Sequence, residues 1–486
     1  MNNPVRQLEP IALWNHFADL NAIPRASKKE ERVIAFMKAF GEKLQLPTSI
    51  DEAGNVIIKK PASMGMEHKT PVVLQSHLDM VHQKNAGTEF NFDQQGIEML
   101  VDGDWVTANG TTLGADNGIG VASIMTLLAS TQIPHPAINA LFTIDEETGM
   151  TGALALKGGL LDGRILLNLD TEEDNELTIG CAGGIDVTAS GTFLAEVPVG
   201  GQSFLISLQG LTGGHSGVDI HKGRANANKL MNRVLLNLAK DLAVQVSSID
   251  GGSLRNAIPR ESVATIVVPE EKAGNFQAAI TVWNNILKEE YSFTDPNLSL
   301  TFETTDEVKN VLPADFQQQL LRVIYACPNG VYRLSPDIAG LVQSSNNIAR
   351  VIVKDGQWNV QNLTRSSVDT EKTDLAQSIS SAFELAGGSI QLGGNYPGWT
   401  PKPDAPIVTL MSELYKEMFK EAAHVNAVHA GLECGILGTN YPAMQMISFG
   451  PNIYGAHSPD EKVQVSSVQK FWKYLLEALT RIPAKN

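Results

Sequence analysis

The residues Pro71-Val72-Val73-Leu74-Gln75-Ser76-His77-Leu78-Asp79 form an apolar run that closes on a His-x-Asp pair. In extended chain, residues two apart face the same side. Asp79 can therefore accept a hydrogen bond from one nitrogen of His77 while the other nitrogen binds a metal. Further carboxylates stand in comparable places: Asp116 among the glycines of 110–120, Glu146 and Glu147 after the apolar run 138–144, and Asp170 after 165–169. A second imidazole, His457, lies in Gly455-Ala456-His457-Ser458-Pro459-Asp460. Two histidines and three carboxylates can hold two divalent ions about 3.5 to 4 Å apart if one carboxylate bridges. Calcium prefers an all-oxygen cage and thiophilic metals want cysteine, so zinc is the first expectation, with cobalt or manganese as substitutes. Glu146 and Glu147 would point to opposite faces of a regular strand. A turn at Thr148-Gly149 would let both enter the site, one as ligand and the other as the base that reaches a water.

These residues need elements that converge. The stretches 71–76, 138–144 and 165–169 read as buried strands, and 10–21, 28–44 and 121–128 carry helical spacing. Strands that end in carboxylate or imidazole and alternate with helices are the pattern of an open α/β sheet with its site at the strand C-termini. Between residues 80 and 110 the pattern loosens into a hairpin or loop excursion. Then the character changes. Strands at 204–208, 263–268, 298–302 and 346–353, with helices at 225–242, 274–288, 314–326 and 370–386, predict an inserted α+β lid domain of two lobes. The expected organisation is a catalytic domain in two parts, 1–186 and 401–486, interrupted by a lid at 187–400. In the last part, helix 406–419, strand 445–449 and helix 466–479 return His457 to the first sheet.

Composition narrows the function classes. At 486 residues, two domains are expected. Lys and Arg number 37 against 53 Asp and Glu, a formal charge of -16 that argues against nucleic acid and suits a cation-concentrating site. The glycines at 110–120 have no Walker lysine and no Gly-x-Gly-x-x-Gly between strand and helix, which sets nucleotide binding aside. Cys181, Cys327 and Cys434 are widely spaced, as in a reducing compartment. No apolar run approaches the roughly 18 residues of a membrane span, and the N-terminus lacks a signal-peptide core. A cytoplasmic protein is expected.

The stretches Ser76-His77-Leu78-Asp79-Met80, Gly114-Ala115-Asp116-Asn117-Gly118, Thr143-Ile144-Asp145-Glu146-Glu147-Thr148-Gly149, Asn168-Leu169-Asp170, Gly213-Gly214-His215-Ser216-Gly217 and Gly455-Ala456-His457-Ser458 resemble the di-zinc exopeptidase family that includes carboxypeptidase G, aminoacylase and carnosinase. Cys181-Ala182-Gly183-Gly184-Ile185-Asp186, Leu254-Arg255-Asn256-Ala257-Ile258-Pro259-Arg260 and His429-Ala430-Gly431-Leu432-Glu433-Cys434-Gly435 extend the likeness over nearly the whole chain, toward its cytosolic dipeptidases. The resemblance implies a mixed sheet flanked by helices, one zinc on His77 and Asp170, the other on Glu147 and His457, and Asp116 as the bridge. It makes Asp79 the orienter of His77, Glu146 the general base and His215 the stabiliser of the tetrahedral oxyanion, and it implies a cis peptide at Asp116–Asn117.

An exopeptidase must also recognise a chain end. Arg365 can grip a carboxylate with two parallel hydrogen bonds, and Asn256 can bind a carbonyl or carboxylate oxygen. Gly431 and Glu433 are placed at the other end, with Glu433 meeting a substrate amine. The implied activity is hydrolysis of unblocked dipeptides, Xaa-His and β-Ala-His foremost, by a homodimer. An N-acyl-amino-acid deacylase or tripeptidase on the same metals is the second reading, and a non-catalytic metal or peptide binder the third. Glu146 speaks against the last, because a binder needs no base.

Overall fold

The computed structural model describes residues 4–485. The chain folds into two compact units. One takes the residues up to Gly180, Pro401–Ala427 and those from Leu432 onward; the other takes Cys181–Thr400 and Val428–Gly431.

The first unit is built on an eight-stranded mixed sheet. Its order is Thr48–Ile50, Val56–Lys60, Ile138–Thr143, Val72–His77, Ile165–Asn168, Gln445–Ser448, Glu176–Cys181 and His424–Val428. The four strands from Ile138–Thr143 to Gln445–Ser448 run parallel. Every residue of Val72–His77 and Ile138–Thr143 is buried, as a central parallel strand covered on both faces requires; the apolar residues pack, and the polar Gln75, Ser76, His77, Asn139 and Thr143 are buried with them. Register puts His77 opposite Thr143, Gln75 opposite Asn168 and Asn168 opposite Ser448. The residues that follow these strands therefore emerge together at one edge. Helix Ala115–Ala129 is buried along nearly its whole length and packs on helix Ile11–Asn21, whose Trp14 and Phe17 are fully enclosed.

The excursion after residue 80 contains a hairpin, Met99–Asp102 with Trp105–Ala108. Its second strand pairs with Lys462–Gln464, which pairs with Ile453–Tyr454. His457 sits in the loop between those last two strands, so the hairpin anchors the C-terminal loop that carries it.

The second unit holds a nine-stranded antiparallel sheet. Its main path runs Ser299–Thr304, Gln202–Gln209, Ser262–Val268, Gln245–Gly252, Val342–Lys354, Gln357–Ser366, Gly183–Thr192 and Ser389–Tyr396, with Gly330–Leu334 beside Val342–Lys354. Helices Ala227–Leu242, Ala273–Glu290, Ala314–Ala326 and Asp369–Leu385 supply apolar residues to one shared core that includes Phe204, Leu235, Phe276, Leu321, Trp358 and Phe383. The long strand Val342–Lys354 pairs on one side with Gln245–Gly252 and on the other with Gln357–Ser366, which joins the two halves of this unit into one sheet. One end of that sheet buries polar side chains: Gln343, Ser344, Ser345, Asn346, Asn347, Asn362, Thr364 and Arg365. Burying polar groups costs free energy unless each is hydrogen-bonded, so such a stretch marks a place with a task other than packing.

Candidate active site

The strand ends of the first unit bring His77, Asp116, Glu147, Asp170 and His457 together. His77 Nε2 lies 3.2 Å from Asp116 Oδ1 and 3.4 Å from Asp170 Oδ1. His457 Nε2 lies 3.3 Å from Asp116 Oδ2 and 2.9 Å from Glu147 Oε2. The two oxygens of Asp116 thus belong to two different groups of three donors, and in each group the donor atoms lie within 4.8 Å of one another. A third such group joins His77, Glu146 and Glu147. Imidazole nitrogens and carboxylate oxygens converging in this way are a donor set for zinc or a similar divalent ion. Glu147 Oε1 is buried without a hydrogen-bond partner, which a bound cation would supply.

The geometry is held mostly by backbone hydrogen bonds. Asp79 Oδ1 and Oδ2 accept from the N–H groups of Glu146 and Glu147 at 3.1 and 3.2 Å, and Oδ2 also accepts from Ser27 Oγ at 2.8 Å. His77 Nδ1 is 3.1 Å from the Asp79 carbonyl and 3.4 Å from its carboxylate, so Asp79 steadies both the imidazole and the Glu146-Glu147 turn. That turn is possible because Asp145 takes a left-handed conformation, φ 54°. The Asp116–Asn117 peptide is cis, as the resemblance implied. Asn117 Nδ2 donates to the Leu169 carbonyl at 2.7 Å and to the Asp170 carboxylate, fixing that carboxylate.

Arg25 and Glu461 complete the frame. The fully buried Arg25 guanidinium donates from Nη1 to the Leu78 and Asp79 carbonyls, both at 3.0 Å, and from Nη2 to the Gly114 carbonyl at 2.5 Å. It staples the end of the His77 strand to the turn that presents Asp116. Residue 114 must be glycine: its φ is 71°, and a Cβ there would lie 2.5 Å from Arg25 Nη2.

Electrostatics show carboxylates in excess of cations. The hydrogen-bonded carboxylates of Asp116 and Glu147 push the His457 imidazole up to about 11. Burial pulls His77 down but is outweighed by Asp170, Asp116 and Asp79, and the ring stays well above its ordinary value. Burial raises Glu146 well above the usual carboxylate range against the pull of His77. Burial, with Asp116 and Asp170 nearby, pushes Glu172 up to about 9. Protons thus gather where positive charge is short, the condition that divalent cations relieve.

The second unit carries His215, Asn256, Arg365 and Gly431. The two-residue strand Gly214–His215 pairs with Ala257–Ile258, and Ser216 N donates to the Asn256 carbonyl at 2.8 Å, so the His215 and Asn256 segments form one small ladder. Asn347 Nδ2 ties that ladder to the large sheet by donating to the Arg255 and Ala257 carbonyls at 3.1 and 2.8 Å. His215 Nδ1 accepts from the N–H groups of Gly217 and Val218, both at 3.1 Å. The neutral ring then carries its proton on Nε2, which makes that nitrogen a donor. Arg365 Nη1 donates to Tyr396 Oη at 2.8 Å.

Comparison with known proteins agrees with this geometry. Residues 206–295 match the peptidase dimerisation domain family. Over 480 residues the chain is 42% identical to the cytosol non-specific dipeptidase of Escherichia coli, covering 99% of each chain. This chain belongs to the M20 peptidase family. The crystal structure of aminoacylhistidine dipeptidase from Vibrio alginolyticus is similar at a TM-score of 0.91 and 42% identity, again over 99% of both chains. A tripeptidase from Staphylococcus aureus shares the M20 fold alone, at a TM-score of 0.56 and 15% identity, over 98% of this chain and 99% of that one.

One sequence expectation for this M20 chain needs correction. Glu433 does not stand open to a substrate amine. It opens the short helix Glu433–Asn440, is fully buried, and its Oε2 accepts from Gln75 Nε2 and Thr143 Oγ1, both at 2.6 Å. These two polar side chains of the central strands hold it buried. Sequence reasoning also missed Arg25, Asn117 and Glu461, which act largely through backbone groups and have no motif of their own.

Proposed function

We propose that this M20 chain is a cytoplasmic metallo-dipeptidase that hydrolyses unblocked dipeptides, with Xaa-His substrates such as β-Ala-His foremost. The observation that carries the reading is the shared Asp116 carboxylate, one oxygen 3.2 Å from His77 Nε2 and the other 3.3 Å from His457 Nε2. Two zinc ions, or cobalt or manganese in their place, would be held by His77, Asp170 and Asp116 and by Glu147, His457 and Asp116. Bound there, they would polarise the scissile carbonyl and acidify a water.

The chain's own residues do the rest. Glu146 takes the proton of the attacking water and returns it to the leaving amine. Its backbone N–H is fixed by Asp79, which keeps the carboxyl aimed. His215 donates from Nε2 to the developing oxyanion. Arg365 takes the C-terminal carboxylate, Asn256 takes a carbonyl or carboxylate oxygen, and the Gly431 backbone lines the other end of the substrate. In this reading residues 187–400 are the lid, and the match of 206–295 to a dimerisation domain supports a homodimer. The names of the Escherichia coli and Vibrio alginolyticus relatives support the dipeptide class.

The test is a substrate panel. Ala-His and β-Ala-His should be cleaved, while N-acetyl-histidine and Ala-Ala-His should be cleaved poorly. Preferred turnover of the acetylated substrate would mean a deacylase, and of the tripeptide a tripeptidase.

A further inference from the structure

Arg365 is a buried cation with an incomplete set of partners. It is 3% exposed, its Nη1 is engaged by Tyr396 Oη, and its Nε is buried with no hydrogen-bond partner. Among the described residues no carboxylate lies within ion-pair distance of it; Asp186, whose field it feels, pairs instead with Arg255 at 3.2 Å. A buried charge without a counter-ion is costly, so the site is built to receive an anion. What stands next to the guanidinium then decides which anion.

Strand register supplies the neighbour. Ser345 lies directly opposite Arg365 in the antiparallel pair, so their side chains share a face of the sheet. Ser345 Oγ is 2.7 Å from His429 Nε2, and both residues are buried. His429 belongs to the segment 428–431 that returns to this unit, just before Gly431. The turn carrying His215 lies against the same segment. A Cβ on Gly217 would come within 2.1 Å of the His429 carbonyl oxygen, so only glycine allows that approach. Burial and then the Arg365 charge pull the His429 imidazole down to about 3. The ring is therefore neutral, a hydrogen-bonding group and not a second cation.

We propose that Ser345 and His429 complete a carboxylate subsite around Arg365, in which Ser345 Oγ is the second donor to the free C-terminal carboxylate of the dipeptide. His429 is the positioning residue. In this arrangement His429 takes the tautomer with its proton on Nε2, donates to Ser345 Oγ and leaves the serine hydroxyl hydrogen for the ligand; the other tautomer would make Ser345 the donor to the ring. Arg365 supplies charge and the Ser345–His429 pair supplies direction, so a carboxylate is accepted where an amide, which brings N–H donors toward the guanidinium, is refused. The inference rests on the reading of Arg365 as the carboxylate-binding residue.

The experiment compares Ala-His with its C-terminal amide, the amide read as substrate or competitor, on the metal-loaded full chain. Ser345→Ala and His429→Leu should each raise KM for Ala-His about tenfold, the worth of one hydrogen bond to a charged group, with kcat little changed and no change for the amide. His429→Gln, which can still donate to Ser345 Oγ, should restore most of the affinity. If Arg365→Lys lowers discrimination between acid and amide while Ser345→Ala and His429→Leu leave it intact, the inference is overturned and the reading of Arg365 stands. If Arg365→Lys also leaves discrimination intact, both fall. Should His429→Leu fail to fold, Ser345→Ala with a wild-type melting curve decides alone.

Discussion

Glu461 grips the turn that presents Asp116: its Oε1 accepts from the Ala115 and Asp116 N–H groups at 2.8 and 3.2 Å, and its Oε2 from the Leu113 and Gly114 N–H groups at 2.7 and 2.9 Å. One buried carboxylate thus satisfies four consecutive backbone donors at the start of the Ala115–Ala129 helix, where N–H groups lack intrahelical partners. It lies four positions after His457, so it ties the loop of one proposed ligand to the turn of the shared one.

Glu461→Gln replaces one acceptor oxygen with an amide that faces N–H groups. Metal affinity should fall about 10- to 100-fold, the usual cost of losing a residue that orients ligands. Competition with a chromophoric chelator measures it, and an unchanged affinity would remove Glu461 from the support of the site.

Glu146→Gln keeps the shape of the turn and removes the base. Turnover should drop about a hundred- to ten-thousandfold with metal content unchanged. Loss of metal in parallel with activity would instead make Glu146 a ligand.

For His215, the two backbone donors on Nδ1 leave the proton on Nε2. His215→Ala should cost about a hundredfold or more in kcat with a smaller effect on KM, as removal of an oxyanion donor does. Full activity in that variant would exclude the role.

Glu433 makes a prediction about pH. In the metal-free fold, burial pushes its carboxyl up to about 8 against the pull of His77, from an ordinary value of 4.5. Between those values the folded chain holds a proton that the unfolded chain has lost, so stability falls as pH rises through this window. Glu433→Gln should make the metal-stripped protein more stable than wild type at pH 8, with the gap closing toward pH 5. Identical melting temperatures across that range would contradict the shift.

The proposed ligands were partly legible in the sequence because His77, the Glu146-Glu147 pair and Asp170 each follow a short apolar run, and parallel strands place their C-terminal ends side by side. His77 and Asp170 needed only that rule, the choice of Glu147 over Glu146 came with the family resemblance, Asp116 was marked by its place among glycines at a helix start, and His457 needed the return of the chain at residue 445. The supporting groups were not legible. Arg25 and Glu461 are charged residues of the kind that usually cover a surface, and only tertiary packing sets them against the carbonyls of Leu78 and Asp79 and the N–H groups of 113–116. Glu433 was misplaced because the sequence does not reveal that Gln75 and Thr143 wait beneath the sheet edge to bind it.

The most direct measurement is histidine release from Ala-His by metal-stripped protein as zinc is titrated back, with bound zinc counted in the same samples. Two zinc ions per chain and release that rises with their binding are predicted. Release without any metal, or no zinc binding at the His77–His457 cluster, would contradict the di-metal site on which the proposed activity depends.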